Sequence, residues 1–156
     1  MPIEGIDRNG ATPAWRANLD RFKDINDSFG HPFGDACLRH VAAVLRKSFR
    51  RDSDTPVRFG GEEFVVIAVG SSAAENMERL EAFRREIEQS LIALDSRQSR
   101  LTLSIGVWSG VPNFTGDPAR LLKSADAALY RAKRERRNRL IVAEHRTNEL
   151  SASRVS

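Results

Sequence analysis

The segment from Val57 to Ile67, VRFGGEEFVVI, places two glycines and two glutamates between two apolar runs. β-prone runs around a Gly-Gly pair predict a β-hairpin, here over 56–69. Glycines at its tip let a ligand approach the backbone closely, because no Cβ stands in the way. Adjacent carboxylates repel each other, so Glu62 and Glu63 cost stability unless a cation lies beside them. Either this turn serves a binding site, or it is a solvated turn with surface glutamates.

The pattern around this hairpin predicts an α+β fold. A weak strand is predicted over 14–19, where Arg16 and Asn18 interrupt the apolar residues. Apolar residues at helical spacing predict one helix from Asp35 to about 49 and two more over 73–94 and 118–134. Further strands are predicted over 101–107 and 140–143. This order of elements is typical of a central, mostly antiparallel sheet flanked by helices.

Two of these helices have apolar faces that we expect to be buried. The helix over 73–94 is expected to bury Met77, Leu80, Ile87, Leu91 and Leu94. The helix over 118–134 is expected to bury Leu121, Leu122, Ala125, Ala128, Leu129 and Ala132.

The length of 156 residues predicts one domain. We expect a disordered leader over 1–13, the folded domain over 14–144 and a flexible tail over 145–156. No apolar run approaches the roughly 20 residues that span a bilayer, and the N-terminus lacks the apolar segment of a secretion signal. We therefore expect a cytoplasmic domain, and leave open a membrane-anchored parent protein.

The cysteine count and the charge narrow the function further. Cys37 is the only cysteine, which excludes an internal disulfide framework and a cysteine-based metal site, and we expect it to be inert packing. The net charge of +4 and the pI near 9.8 favour an anionic ligand. They do not distinguish a nucleic acid from a nucleotide.

A second polar cluster follows the first predicted strand, in NLDRFKDINDSFGHPFGD over 18–35. Asn26, His31 and Asp35 could offer a carbonyl, a ring nitrogen and a carboxylate to one planar ligand, and a carboxylate that accepts two hydrogen bonds suits a guanine edge. If a phosphate-bearing ligand binds here, magnesium is the natural counter-ion for the hairpin glutamates. The alternatives are that Asp35 caps the following helix and that Asn26 holds a turn.

These motifs together resemble the GGDEF family, the bacterial diguanylate cyclases, in its GGEEF form. The resemblance rests on DRFKDINDSFGHPFGD and RFGGEEF, supported by LTLSIGV and SADAALYRAKRERRNRL, and covers about residues 18–143. It implies a fold like that of nucleotidyl cyclases and polymerase palms. It also implies a homodimer that condenses two GTP molecules into cyclic di-GMP and two pyrophosphates, with Mg²⁺ or Mn²⁺ as cofactor.

The resemblance assigns roles residue by residue. It implies that Glu62 binds the metal and helps to deprotonate the attacking hydroxyl, and that Glu63 supports the same site. It implies metal binding by Asn18 and by the carbonyl of Leu19. The residues that it places against the nucleotide are Gly60 and Gly61 at the hairpin, Asn26 and Asp35 at guanine, His31 in the same loop, and Lys133 and Arg137 at the triphosphate.

An RxxD motif precedes the hairpin, with Arg51 and Asp54 at its ends. In the family this motif is an inhibitory site for the product cyclic di-GMP, and arginine suits such a site because its planar fork grips a phosphate or a guanine edge. Arg84 on the long helix is the candidate for a secondary arginine of that site. The alternative is a surface ion pair between Arg51 and Asp54, which would contribute little.

The chain departs from the family pattern at two positions, Asn18 and Arg136, and in its opening segment. Asn18 stands where the family has a metal-binding aspartate, so we expect weaker magnesium binding. Asp20 is expected to point to the other side of the strand, where it cannot substitute. Arg136 replaces a usual glycine, and the family's usual opening helix and its LTGLxNR-like segment are not matched.

These departures leave an alternative function open: a catalytically weak domain that acts as a cyclic di-GMP receptor through Arg51 and Asp54. A nucleic-acid-binding module, based on six cations within Arg131–Arg139, is disfavoured because no aromatic residues for base stacking are interleaved. We expect no nucleic acid polymer as a partner. We also expect fusion to a sensory or membrane module.

Overall fold

The structure is a computed structural model, described for residues 14–51, 54–58, 61–68, 73–108 and 118–143. Its elements in chain order are β1 (Ala14–Leu19), α1 (Phe22–Phe29), α2 (His31–Ser48), β2 (Asp54–Arg58), β3 (Glu63–Ala68), α3 (Ala73–Gln89), β4 (Ile92–Leu94), β5 (Arg97–Ser99), β6 (Leu103–Trp108), α4 (Pro118–Arg134) and β7 (Arg139–Val142). The expected leader over 1–13 and tail over 145–156 lie outside the described residues.

Five strands form the central sheet, in the order β2-β3-β1-β6-β7. β1 is antiparallel to both β3 and β6, β2 is antiparallel to β3, and β7 is parallel to β6. The predicted α+β fold with a mostly antiparallel sheet is therefore confirmed. β2 and β3 form the predicted hairpin, with Arg58 opposite Phe64.

The strand that looked weakest in the sequence, β1, lies at the centre of the sheet. Trp15, Ala17 and Leu19 are buried in the main core with residues of α2 and α3. Arg16 and Asn18 point to the opposite face, because side chains alternate along a strand. That face is covered by α4, where four of the predicted inward residues, Ala125, Ala128, Leu129 and Ala132, are buried. The side chains of the other two, Leu121 and Leu122, lie outside the described part of the structure.

Gly106 allows α4 to approach this face closely. A Cβ at Gly106 would collide with the backbone of Ala125 and Leu129. The helix can therefore lie directly on β6, which brings Asp126 of α4 close to Arg16 of β1.

The predicted helix over 73–94 is wrong at its C-terminal end. α3 stops at Gln89, and Ile92–Leu94 instead pairs with β5 in a two-stranded hairpin. Leu91, expected inside, is 53% exposed, whereas Ile92 is buried. The backbone N–H of Ser90 donates to the carbonyl of Ile87, three residues earlier, and the helix ends there. Asp95 has a positive φ of 55° at the turn of the following hairpin.

The sequence also did not predict α1, and α2 begins at His31 rather than at Asp35. Gly30, with φ of 89°, separates the two helices. Cys37 of α2 is buried, and desolvation raises the pKa of its thiol to about 11, in agreement with an inert packing role. None of the helices in the described part of the chain combines the length and the apolar character of a membrane span.

Candidate nucleotide site

The end of β1 and the start of β3 bring the two predicted motifs together. Asn18 pairs with Glu63 across the two strands. The backbone N–H of Leu19 donates to the carbonyl of Glu62 at 3.2 Å. The glutamates of the hairpin turn thus lie directly beside the residues predicted to hold a metal ion.

Glu63 already has a cationic partner in the protein. The Arg16 Nε atom lies 2.6 Å from Glu63 Oε1, and Arg16 Nη1 lies 3.4 Å from Asp126 Oδ1. These contacts follow from the sheet register, since Arg16 and Asn18 share the face onto which Glu63 projects. Arg16 therefore offsets part of the repulsion between Glu62 and Glu63. In the sequence, the only indication of this role for Arg16 is its position as a cation within an otherwise apolar strand.

The oxygen donors at this edge suit a magnesium ion that shares its coordination with phosphates. Among the described residues, no group of three or more His, Cys, Asp or Glu side chains could hold a metal alone. The candidate donors at this edge are the Glu62 carboxylate, the Asn18 amide and the Leu19 carbonyl. Mg²⁺ commonly uses one or two carboxylates and completes its shell with phosphate oxygens and water. The donor set fits that chemistry. It carries less negative charge than a site with the family's aspartate, because Asn18 is neutral.

Asp20 serves the fold rather than the metal donors. Its buried carboxylate accepts hydrogen bonds from Thr102 Oγ1 at 2.7 Å, Ser104 Oγ at 2.5 Å and the Asn138 backbone N–H at 3.0 Å. The expected opposite orientation is wrong, because residues two apart along a strand share a face, and Ser104 is the cross-strand neighbour of Asn18. Asp20 cannot substitute for the missing aspartate because three donors already engage it.

A cavity of about 380 Å³ opens next to Asp20. It lies between the turn that precedes α1, the start of β6 and the turn that follows α4. Four arginines contribute to its lining: Arg21, Arg100, Arg136 and Arg137. The family motif predicts Arg137 and places Arg136 at a position that usually holds glycine, whereas no sequence pattern indicates Arg21 or Arg100. Lys133, the other predicted triphosphate residue, lies on α4 and is partly buried.

The N-terminus of α1 also lines this cavity, at Arg21 and Asp24. No side chain caps the helix there, because Arg21 takes the N-cap position with a left-handed backbone. The first N–H groups of a helix lack intrahelical partners and favour anions. The α1 N-terminus and the four arginines together make this cavity suitable for a polyphosphate.

The residues predicted to read guanine lie on α1 and α2. Asn26 is inside α1, and its Oδ1 atom is buried without a hydrogen-bond partner among the described residues. Gly34 of α2 packs against that atom, and a Cβ there would collide with it. His31 and Asp35 are both exposed on α2. The capping alternative for Asp35 is wrong, because α2 begins four residues earlier, at His31.

The RxxD motif has a different internal partner from the one predicted. The Asp54 carboxylate accepts the Arg51 backbone N–H at 3.1 Å and both terminal nitrogens of Arg79, at 2.5 and 3.4 Å. Arg79 also donates to the Ser48 carbonyl at 3.0 Å and stacks 4.5 Å from the centre of the Phe49 ring. Asp54 is therefore neutralised inside the protein.

The guanidinium groups of Arg51 and Arg84 lie elsewhere. Arg51 Nη1 lies 3.4 Å from Glu75 Oε2, and the backbone N–H of Arg51 contacts Asp54. Arg84 contacts Glu81, Glu88 and Asn138. Arg79, five residues earlier on α3, is the arginine that meets Asp54.

The mixed sheet flanked by helices, with the acidic hairpin turn beside β1, defines a palm-like α+β domain. The sequence profile described as "Diguanylate cyclase, GGDEF domain" matches residues 16–139. The chain belongs to the GGDEF family.

Curated relatives agree with this family. Diguanylate cyclase A of Treponema denticola is 40% identical over 129 residues, which are 82% of this chain and 34% of that protein. Diguanylate cyclase DosC of Escherichia coli is 38% identical over 126 residues, which are 79% of this chain and 26% of that protein. The chain thus spans about a quarter to a third of the length of these relatives.

Solved structures share the fold. The GGDEF domain of DgcB from Caulobacter crescentus, solved in complex with c-di-GMP, has a TM-score of 0.80 at 30% identity, over 86% of this chain and 79% of that one. The active GGEEF domain of a diguanylate cyclase from Vibrio cholerae has a TM-score of 0.77 at 28% identity, over 86% of this chain and 84% of that one.

Proposed function

We propose that this domain is a diguanylate cyclase that condenses two GTP molecules into cyclic di-GMP and two pyrophosphates. The observation that carries the proposal is the contact between Leu19 and Glu62, which joins the two motifs next to the arginine-lined cavity. Phosphoryl transfer depends mainly on positioning and charge neutralisation, and this edge of the sheet concentrates groups suited to both.

In the proposed reaction, two domains face each other and each holds one GTP. Glu62 takes the proton of the attacking 3′-hydroxyl, whose oxygen forms a bond to the α-phosphorus of the opposite nucleotide. The bond between the α-phosphorus and its bridging oxygen breaks, and pyrophosphate leaves. A magnesium ion held by Glu62, Asn18 and the Leu19 carbonyl would supply charge stabilisation for the triphosphate.

The remaining residues position the substrate in this proposal. Asn26 and Asp35 read the guanine, with His31 beside them, and Gly60 and Gly61 let the nucleotide lie against the hairpin. The basic residues that neutralise the triphosphate are Lys133, Arg137, Arg136 and Arg100. Glu63, held by Arg16, supports the acidic turn rather than acting as a free ligand.

The test is product formation by the whole chain. Protein incubated with GTP and magnesium at a concentration that favours dimers is expected to form cyclic di-GMP, measured by liquid chromatography. Glu62→Gln is expected to abolish turnover, while circular dichroism shows that the fold is retained. The matched control is Glu78→Gln, at an exposed glutamate on α3, which should keep wild-type turnover. Full activity in the Glu62→Gln protein would remove the catalytic assignment.

A cyclic di-GMP receptor is the second candidate function. It is favoured by the reduced acidic charge of the site, where Asn18 is neutral and Glu63 is paired with Arg16. It requires the dinucleotide to compete with Arg79 for Asp54. Wild-type protein that binds cyclic di-GMP, measured by isothermal titration calorimetry, but forms none from GTP would favour this candidate.

A further inference from the structure

The turn after α4 holds three consecutive non-glycine residues in left-handed conformations. The φ angles are 81° at Arg136, 59° at Arg137 and 46° at Asn138. This conformation is unfavourable for residues that carry a Cβ, although asparagine tolerates it better than arginine. A backbone of this kind persists only where the surrounding structure holds it. Because Arg136 and Arg137 line the cavity beside Asp20, the turn determines where their charges lie.

Asn138 fixes this turn through its backbone and through both ends of its side chain. Its backbone N–H donates to Asp20 Oδ2 at 3.0 Å. Its Nδ2 atom donates to Glu88 Oε1 at 2.7 Å, and its Oδ1 atom accepts from Arg84 Nη1 at 2.7 Å. The Arg137 N–H closes the turn on the carbonyl of Ala132 at 2.9 Å.

Arg84 is itself held in place by α3. Its Nε and Nη2 atoms donate to the two carboxylate oxygens of Glu81 at 2.9 and 2.5 Å, and its Nη1 atom donates to Glu88 at 3.2 Å. The Arg84 hydrogen bond lowers the pKa of Glu81, and hydrogen bonding from Asn138 followed by the charge of Arg84 lowers the pKa of Glu88. The Arg84 side chain is 11% exposed, so its guanidinium is largely buried among these partners.

We propose that Arg84 is a positioning residue for the polyphosphate cavity, acting through Asn138 on the turn that carries Arg136 and Arg137. This inference rests on the proposed nucleotide-binding function and deepens it. It assigns Arg84 to substrate affinity instead of the inhibitory motif, where Arg79 meets Asp54. Arg84 contacts Asn138, and the backbone N–H of Asn138 donates to Asp20, which lines the cavity. The proposed effect of Arg84 on the cavity is therefore indirect.

Arg84 and Arg85 provide a matched pair for the test. Arg85 is exposed and has an ion pair with the same Glu81, at 3.3 Å. We expect Arg84→Met to weaken binding of the α,β-methylene analogue of GTP about tenfold in calorimetry, and Arg85→Met to change it by less than about twofold. Guanosine, which lacks phosphates, should bind both variants as it binds the wild type, because the base is read on α1 and α2.

Each outcome decides a specific point. If Arg84→Met and Arg85→Met bind the analogue with equal affinity, only the positioning role is overturned. The same holds if Arg84→Met loses guanosine binding as strongly as analogue binding, because a general structural defect produces both losses. A wild type that binds no analogue would overturn the proposed function as well. An Arg84→Met change that alters inhibition by cyclic di-GMP without altering substrate affinity would return Arg84 to the inhibitory site.

A second pair keeps the test decisive if Arg84→Met does not fold. Glu88→Ala removes the acceptor of Asn138 Nδ2. Glu86→Ala, on the same helix, removes an exposed ion pair with Lys47 of α2. Glu88→Ala is expected to weaken analogue binding about threefold, with Glu86→Ala unchanged. Equal binding by these two proteins would contradict the network.

Discussion

Glu63 and Asp54 are acidic residues of the two recognised motifs, and each meets an arginine that the motif does not contain. The Arg16–Glu63 pair keeps contact with solvent, with the side chains 15% and 23% exposed. Asp54 is entirely covered, with 0% side-chain exposure, and Arg79 is 18% exposed. The chemistry of the two pairs is the same, but their depth differs.

Because of this difference in depth, we expect the Arg79–Asp54 pair to stabilise the fold and the Arg16–Glu63 pair to influence the candidate site. Removing one partner of a buried ion pair costs about 3–5 kcal/mol, because a charge remains uncompensated in a poorly solvated place. Pairs near the surface contribute about 0–1 kcal/mol. We therefore expect Arg79 to matter mainly for stability and Arg16 mainly for the electrostatics of the candidate metal donors.

The largest effect is expected from Arg79→Met. It should lower the free energy of unfolding by about 3 kcal/mol, because Asp54 stays buried without its partner. Urea denaturation monitored by circular dichroism measures the change, and the exposed Arg85→Met is the control. A loss below about 1 kcal/mol would show that Asp54 tolerates isolation and that the two pairs are alike. Adding Asp54→Leu to Arg79→Met should recover part of the loss.

The next effect concerns the metal donors. Asn18→Asp restores a carboxylate beside Glu62, and should lower the magnesium concentration needed for half-maximal binding of the GTP analogue about tenfold, because a unit charge at close range attracts a divalent ion strongly. Arg16→Met should shift the same midpoint in the same direction. Titration of analogue binding with magnesium measures both. Midpoints unchanged in both proteins would mean that the acidic turn does not bind the metal.

A smaller effect is expected from Arg136→Gly. Glycine adopts the left-handed conformation without the Cβ clash, so the free energy of unfolding should rise by about 1 kcal/mol. Thermal unfolding compares this variant with Arg134→Gly, which replaces a residue inside the last turn of α4 and should destabilise the protein. Destabilisation by both changes would contradict the strain assigned to the turn.

The smallest effect is expected from pH, in a third arginine network whose carboxylates are the most exposed of the three. Arg84 is 11% exposed, and its partners Glu81 and Glu88 are 36% and 41% exposed. Their pKa values are lowered in the folded protein, so their contribution to stability is complete above the unfolded value of 4.5 and is lost as pH falls through the folded values. Melting temperatures measured from pH 6 to pH 3 should fall less steeply for Glu88→Gln than for the wild type. Parallel curves would argue against the lowered pKa of Glu88.

The hairpin and α4 were predictable because local chemistry determines them. Gly60 and Gly61 mark the turn, and Pro118 marks the first residue of α4. The end of α3 was not predictable in this way, since Leu91 continues the helical spacing and only tertiary contacts favour burial of Ile92. The sequence predicts only a weak strand for β1 because Arg16 and Asn18 interrupt its apolar residues. In the structure both lie on one face, where Arg16 has partners from β3 and α4.

The ionic partners could not be predicted, although the motif residues could. Glu63 follows from the GGEEF pattern, but its contact with Arg16 depends on the register of two strands far apart in sequence. Arg79 and Arg84 both lie on α3, and only the packing of that helix shows which of them reaches Asp54. Motif recognition identifies the chemistry, whereas the three-dimensional structure determines which charges are already satisfied.

The side chain of Arg79 gives the RxxD motif a resident competitor. Any dinucleotide that uses the Asp54 carboxylate must first displace that guanidinium, so its apparent affinity is multiplied by the small fraction of molecules in which the carboxylate is open. Feedback through this motif would then respond only above a raised concentration threshold. The threshold would be encoded in the helix rather than in the motif.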